Sequence, residues 1–397
     1  MKITIVADSF IGYMGSETSG EIFGGQEILL KHTCQILLEE GFDVTVIQFG
    51  KEKINFKYGD IKIKQVKEKK YLFLQKLGFI RRWTWAGLLL NKNIDDDCEW
   101  IHFHNHHFSF PRAYRKDKIL TGMNHGVEWD VPWVYDSFSL KNLRDRFAFF
   151  LLKRVTKFSI KHLNKLITND YFFVHFATLN DPSLLRKFNY IPNFADTGIF
   201  NLDVKPSEKI IKIANGSKIV LLPKMAMRER GTDIMIDVID EIRNLDVILV
   251  ITGVSFEIND WKTEVKTRGL DNKVIFTGHI DYFHELPSIY AAADIVVIPS
   301  PCREATAIAM LEGMAMKKPM VISNIGGLTE VAKDGYNALV CNANKYEFKK
   351  AILQLLNNKE YSDYLASNAF EFVTKAYNYN LWRERIINFF KPENVRK

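Results

Sequence analysis

Ser300-Pro-Cys-Arg-Glu304-Ala-Thr-Ala-Ile-Ala-Met-Leu-Glu312-Gly-Met-Ala-Met-Lys-Lys-Pro319 is the stretch on which the fold reading turns. Ahead of it stands Ala293-Asp-Ile-Val-Val-Ile-Pro299, a β-branched run of the kind that forms a buried parallel strand. The small and unbranched residues from Ala305 to Met316 favour helix. A strand, a tight turn and a helix start make an anion site, because unpaired N–H groups and the positive end of the helix dipole point the same way. Ala305, Thr306 and Ala307, leading into Ile308, are small enough for a phosphate to approach the backbone closely.

Two carboxylates bracket this turn. On an ideal helix Glu304 and Glu312 would stand about 12 Å apart along the axis. Carboxylates that share one glycosidic bond sit closer, about 5–9.5 Å apart. The spacing therefore suits two ends of a long ligand. The plain alternative is a helix cap and a surface carboxylate.

Working outward, a chain of 397 residues exceeds one ordinary core, so two domains are expected. With 47% hydrophobic and 25% charged residues it has the composition of a soluble globular protein. The net charge of +7 favours anionic partners such as nucleotides or acidic lipid headgroups. No nucleic-acid-binding module is present, so nucleic acid is not an expected partner. Cys34, Cys98, Cys302 and Cys341 are widely spaced, which excludes a disulfide framework and fits a reducing cytosol. Met1–Asp8 is too short and too acidic for a signal peptide and reads as a first strand. No apolar run reaches the roughly 18 residues that span a bilayer.

In the first half, strand Lys2–Ala7 leads into a Gly- and Ser-rich loop. Gly24-Gly25-Gln26-Glu27 then opens an amphipathic helix, Gly41 ends it, and Phe42–Phe49 is the next strand. A glycine turn at the helix start of a βαβ unit is a usual point of phosphate approach. Lys67–Asn93 interleaves basic residues with Trp83, Trp85, Phe79 and leucines, as in a helix lying on an anionic membrane surface; an ordinary domain helix is the alternative. Trp100-Ile-His102-Phe-His104-Asn-His106-His107 puts alternate histidines on one strand face, but no zincin pattern accompanies them. They read as cleft-lining residues at a strand's carboxyl edge. Asp95-Asp-Asp97 reads as a turn. His125 ends a further strand, where an imidazole can donate to an oxyanion and titrates near neutrality; a core histidine is the alternative. Phe138–Leu166 is a long basic and aromatic helical stretch. Asn201–Ser217 has the look of a linker, and a second series of strands follows at Ile219–Leu222, Val247–Thr252, Val274–Phe276, Asp294–Ile298 and Met320–Ser323, separated by helical stretches.

Glu304-x7-Glu312, Lys318-Pro319-Met-Val-Ile-Ser323 and Gly326-Gly327-Leu-Thr-Glu330 together resemble the donor-site signature of the family 4 retaining glycosyltransferases of the GT-B fold. Gly24-Gly25-x-Glu27, the His-Gly step at His125 and Ile191-Pro-Asn-Phe194-Ala-Asp196 extend the resemblance, with Phe194 where the family has glycine. It implies an α/β chain of two doubly wound Rossmann-like domains facing across a cleft. Residues 1–195 would form the acceptor side, 196–379 the nucleotide-sugar side, and 380–397 a helix returning to the first domain.

The resemblance also implies roles. Gly24 and Gly25 would face the donor diphosphate. Lys224 and Arg230 stand closest to the family's cation pair, with the types exchanged and one residue further apart; a solvated charge run is the plain alternative. Glu304 would hold sugar hydroxyls, Glu312 the ribose, His125 the transferred sugar, and the Gly278–Ile280 loop the nucleobase. Ala305, Thr306, Ala307 and Ile308 would offer N–H groups to the diphosphate. The implied reaction moves a hexose-type sugar from a nucleotide diphosphate to a glycan, lipid-linked or small-molecule acceptor, with retention and without a metal or other cofactor. A sugar-nucleotide 2-epimerase or a non-catalytic partner subunit of the same fold are the rival readings.

Overall fold

A computed structural model describes residues 1–11, 24–67, 87–112, 117–125, 143–302 and 304–395. The chain divides into two units, residues 1–191 with 383–397, and residues 192–382. The 12–23 loop, residues 68–86 of the basic aromatic stretch, 126–130 after His125, and 138–142 lie outside the described residues.

The first unit's strands are Lys2–Val6 (β1), Asp43–Gly50 (β2), Ile54–Tyr58 (β3), Ile61–Lys67 (β4), Trp100–Phe103 (β5), Ile119–Asn124 (β6), Lys165–Thr168 (β7) and Phe188–Tyr190 (β8). They lie in the order β3-β4-β2-β1-β5-β6-β7-β8. Every pairing is parallel except β3 with β4. Ile3, Ile5 and Val6 of β1 are all buried, as a strand covered on both faces requires. Next to the edge strand β3, β4 instead alternates, with Ile61, Ile63 and Gln65 inward and Lys62 exposed. The β3–β4 hairpin turns at Gly59, whose φ of +57° suits glycine. The expected helix after the glycine pair is Gly25–Glu39, and the long basic stretch forms Leu143–His162. At the chain's end Phe390 packs on Trp100 and His102, at 5.4 and 5.2 Å between ring centroids.

The second unit has Lys218–Leu222 (β9), Val247–Ile251 (β10), Val274–Phe276 (β11), Ile295–Ile298 (β12), Met320–Ser323 (β13) and Leu339–Cys341 (β14). Their order is β11-β10-β9-β12-β13-β14, parallel throughout. Successive residues of β9 feed opposite cores. Ile219 and Leu221 join Met310, Leu311 and Met314, while Val220 and Leu222 join Ile236, Ile239 and Phe348. Both sheets are thus doubly wound. Strand order reverses between β1 and β5 in the first and between β9 and β12 in the second. Ligands of such sheets bind outside the carboxyl ends at these reversals.

Three local expectations change. Asn201–Ser217 is not merely a linker: Ser207 caps a helix, Glu208–Ala214, that buries Ile210 and Ala214 and ends at Asn215 with φ +46°. The helix expected from Ala305 begins only at Ile308, because Glu304–Ala307 runs non-helically against Gly326 and Gly327, so ideal-helix spacing does not apply to Glu304. At Phe194 no positive φ is required. The ring is instead buried against Trp382 and Tyr379, at 4.5 and 5.2 Å. Among the described residues no helix is long and apolar enough to cross a membrane.

Candidate active site

The reversal in the second unit is where charge collects. Lys224 stands two residues beyond β9, Arg230 closes the short turn Arg228–Arg230, and Glu304 follows β12. The Glu304 Oε1 atom accepts from Lys224 Nζ at 2.5 Å, Arg230 Nη1 at 2.7 Å and Ser300 Oγ at 2.6 Å. Its side chain is only 7% exposed. Burial alone would raise its pKa, but Lys224 and Arg230 outweigh burial and hold it at about 2. Burial in turn lowers Lys224 to about 8 against the pull of Glu304. Two cations around one carboxylate leave the cluster with a net positive charge.

Glycines set this geometry. Gly231 has φ +76°, and a Cβ there would collide with the Pro299 carbonyl. Gly326 has φ +49° and lies against the Glu304 carbonyl, while Gly327 N donates to that carbonyl at 2.8 Å. Asn193 Nδ2 donates to the Thr306 carbonyl. Glu304, Ala305, Thr306 and Ala307 are therefore clamped from two sides just before Ile308 opens the helix, whose first N–H groups have no partner within it.

Glu312, one helical turn inside, is 2% exposed. Tyr282 Oη donates to its Oε1 at 2.6 Å, and Tyr290 Oη lies 2.8 Å from its Oε2. Burial pushes Glu312 up to about 7, opposed by the two tyrosines and by Lys224. Tyr282 sits just beyond the Gly278–Ile280 loop, in which Gly278 takes φ +78° and bridges to Gly253. The two tyrosines escaped the sequence reading, since nothing in local spacing ties Tyr282 or Tyr290 to Glu312.

In the first unit a different edge forms. Gly24 precedes helix Gly25–Glu39, and a Cβ on it would meet Glu27 Oε2 at 2.6 Å. Glu27 accepts from Ser9 Oγ at 2.5 Å and is raised by burial. His104 Nε2 donates to the Gln26 carbonyl at 3.0 Å, and His125 Nε2 to the His104 carbonyl at 2.7 Å, with 4.6 Å between the two rings. Burial lowers His125 to about 4 and His102 to about 3, and holds His104 and His106 well below the usual value. A carbonyl can only accept, so the single N–H of neutral His125 is committed to His104 and its Nδ1 offers an acceptor. Of the Asp95–Asp97 run, Asp95 pairs with Lys64 and Asp97 with Lys2. The histidine run is spread over several partners: His102 faces Thr121 at 3.0 Å and His107 faces Thr156 at 2.8 Å.

Two doubly wound α/β units, each with a strand reversal of the kind at which such sheets bind ligands, define the GT-B class of fold, as the sequence resemblance implied. Residues 203–372 match the family described as glycosyl transferases group 1. An uncharacterised glycosyltransferase of Methanocaldococcus jannaschii is 29% identical over 225 residues, 54% of this chain and 60% of its own length. The chain spans about half the length of further relatives such as an alpha-D-kanosaminyltransferase of Streptomyces kanamyceticus, 27% identical over 44% of this chain and 45% of its own. Among solved structures, HepE of Anabaena in complex with UDP superposes with a TM-score of 0.69 at 17% identity, covering 98% of each chain. That likeness establishes the fold.

Proposed function

We propose that this chain is a retaining glycosyltransferase that moves a hexose-type sugar from a nucleotide diphosphate to a glycan, lipid-linked or small-molecule acceptor, without a metal. The observation that carries the reading is the Lys224–Arg230–Glu304 cluster at the β9–β12 reversal, inside the segment that matches the glycosyltransferase family. Breaking a sugar–phosphate bond builds negative charge on the leaving diphosphate. Preorganised cations in a buried setting stabilise such charge without reorganising. Lys224 and Arg230 supply them, with the backbone of Ala305–Ile308 beside them. Glu304 is left to accept from sugar hydroxyls, and it does so as a full anion because both cations hold it ionised.

The histidine-lined edge of the first unit fits a polar but uncharged group. His125 Nδ1 can accept from a sugar hydroxyl, whereas donation to a phosphate would require the ring to leave the His104 carbonyl. The complexes of HepE with UDP and with UDP-glucose support a nucleotide sugar as donor for this chain as well.

Incubating the protein with UDP-glucose, GDP-mannose or ADP-glucose, with and without EDTA and with added methyl glycosides, tests the reading. Release of nucleoside diphosphate that survives EDTA supports it. Conversion of the donor into a new sugar nucleotide without release identifies an epimerase instead.

A further inference from the structure

Glu312 carries more hydrogen-bonding information than its expected role uses. Its carboxyl group meets two phenols, and one of them is shared: Tyr290 Oη lies 2.8 Å from Glu312 Oε2 and 3.0 Å from the Ala309 carbonyl. A phenol has one hydrogen, and a carbonyl can only accept. With Glu312 ionised, Tyr290 can satisfy the carboxylate or Ala309, but not both. With a proton on Oε2 every contact is a hydrogen bond. Tyr282 then donates to Oε1, Glu312 donates to Tyr290, and Tyr290 donates to Ala309. The groups that face Glu312 are Tyr282 from the loop after β11, Tyr290 from helix Leu286–Ala292, and the charge of Lys224 from the end of β9.

We propose that Glu312 is a proton-linked receptor for the donor's ribose, a buried acid whose proton bridges to Tyr290 in the free protein and which ionises when ribose hydroxyls donate to it. The inference rests on the donor reading above and deepens it. A carboxylate offers about four lone-pair positions, whereas the neutral acid spends one oxygen as a donor. A vicinal diol that brings two hydrogens is therefore recognised better by the anion. The balance is simple: the Glu312 O–H bond breaks, the proton leaves to the buffer, and the ribose hydroxyls keep their hydrogens while donating. Tyr282 is the positioning residue, because it joins the loop carrying Gly278 and Ile280 to the carboxyl group. Burial places the transition near neutral pH, at about 7.

Calorimetric titration at pH 7 in buffers of different ionisation enthalpy counts the protons. The probe is whichever of UDP-glucose, GDP-mannose and ADP-glucose binds, since their diphosphate diesters do not titrate near neutrality. Lys224 takes up protons on meeting a diphosphate, so the readout is the difference between wild type and Glu312→Gln. A group at half-protonation that ionises fully releases about half a proton, which is the expected difference. Glutamine reproduces the neutral acid, accepting from Tyr282 and donating to Tyr290, so the variant keeps the fold; its melting temperature checks this. Tyr282→Phe removes a hydrogen bond to the anion, and the pH below which donor affinity declines should move upward. Equal proton counts in wild type and Glu312→Gln overturn the proposal, as does an unmoved pH profile in Tyr282→Phe. If none of the three nucleotide sugars binds wild type, the donor reading itself fails.

Discussion

At the strand reversal of the second unit, Glu304, Lys224 and Arg230 remain charged because each has an opposite charge beside it. At the reversal of the first, His102, His104, His106 and His125 remain neutral because burial lowers them and, among the described residues, no carboxylate counters it. The scaffolds are alike: parallel strands, helices on both faces, a glycine turn near the crossover. What differs is how desolvation is met. Pairing keeps ions in a dry site, and the lack of a partner removes them. One edge is thereby suited to a diphosphate and the other to hydroxyl groups.

The contrast is broken most directly at Glu304. Glu304→Gln should lower sugar transfer about 10²–10³-fold, the range seen when one preorganised charge-stabilising group is lost. Nucleoside diphosphate affinity should hold or rise, since Lys224 and Arg230 lose their internal counter-ion. A variant with near-normal turnover would show that the paired charge has no part in transfer. Lys224→Met or Arg230→Met should weaken UDP, GDP or ADP binding by about 1.5–3 kcal/mol, the worth of a hydrogen bond to a charged group, as read by titration. Unchanged binding would place the anion elsewhere.

The neutral edge gives a pH signature. Histidines whose pKa is lowered on folding bind more protons when unfolded, so their stability contribution is complete above pH 6.5 and is lost as pH falls towards 4 and 3. The melting temperature should therefore be flat from pH 7 upward on their account and fall steeply through that acid window. His102→Asn, which cannot titrate, should soften the fall; an identical slope would mean that burial does not hold this edge neutral. The smallest effect is expected for His125→Gln. Its side-chain amide can still donate to the His104 carbonyl, so turnover should drop less than about tenfold, the equivalent of one modest hydrogen bond. A loss as large as that of Glu304→Gln would show that His125 carries charge and that the two edges are not opposites.

Much of this was legible in the residues. The apolar runs of β9, β10, β12 and β13 announce a parallel sheet, because strands buried on both faces need no alternation. The β3–β4 hairpin was missed, though Ile61, Ile63 and Gln65 alternate clearly with Lys62 and Lys64. The short strands β8 and β14 were also missed, although the equally short β11 was named. Phe194 looked like a departure at a glycine position, and only its packing on Trp382 and Tyr379 explains it. In the site, Lys224, Arg230 and Glu304 were nameable from their motifs, but their convergence on one oxygen atom was not.

By itself the sequence determined the two doubly wound sheets, the glycines at Gly24–Gly25 and Gly326–Gly327, and the residue types able to hold a diphosphate. These depend on local pattern, on which faces are apolar and where the backbone must turn. The tertiary structure alone decided which groups keep their charge. That depends on burial and on neighbours brought from remote strands, as Tyr282 and Tyr290 are to Glu312, and no spacing along the chain encodes the distance between them.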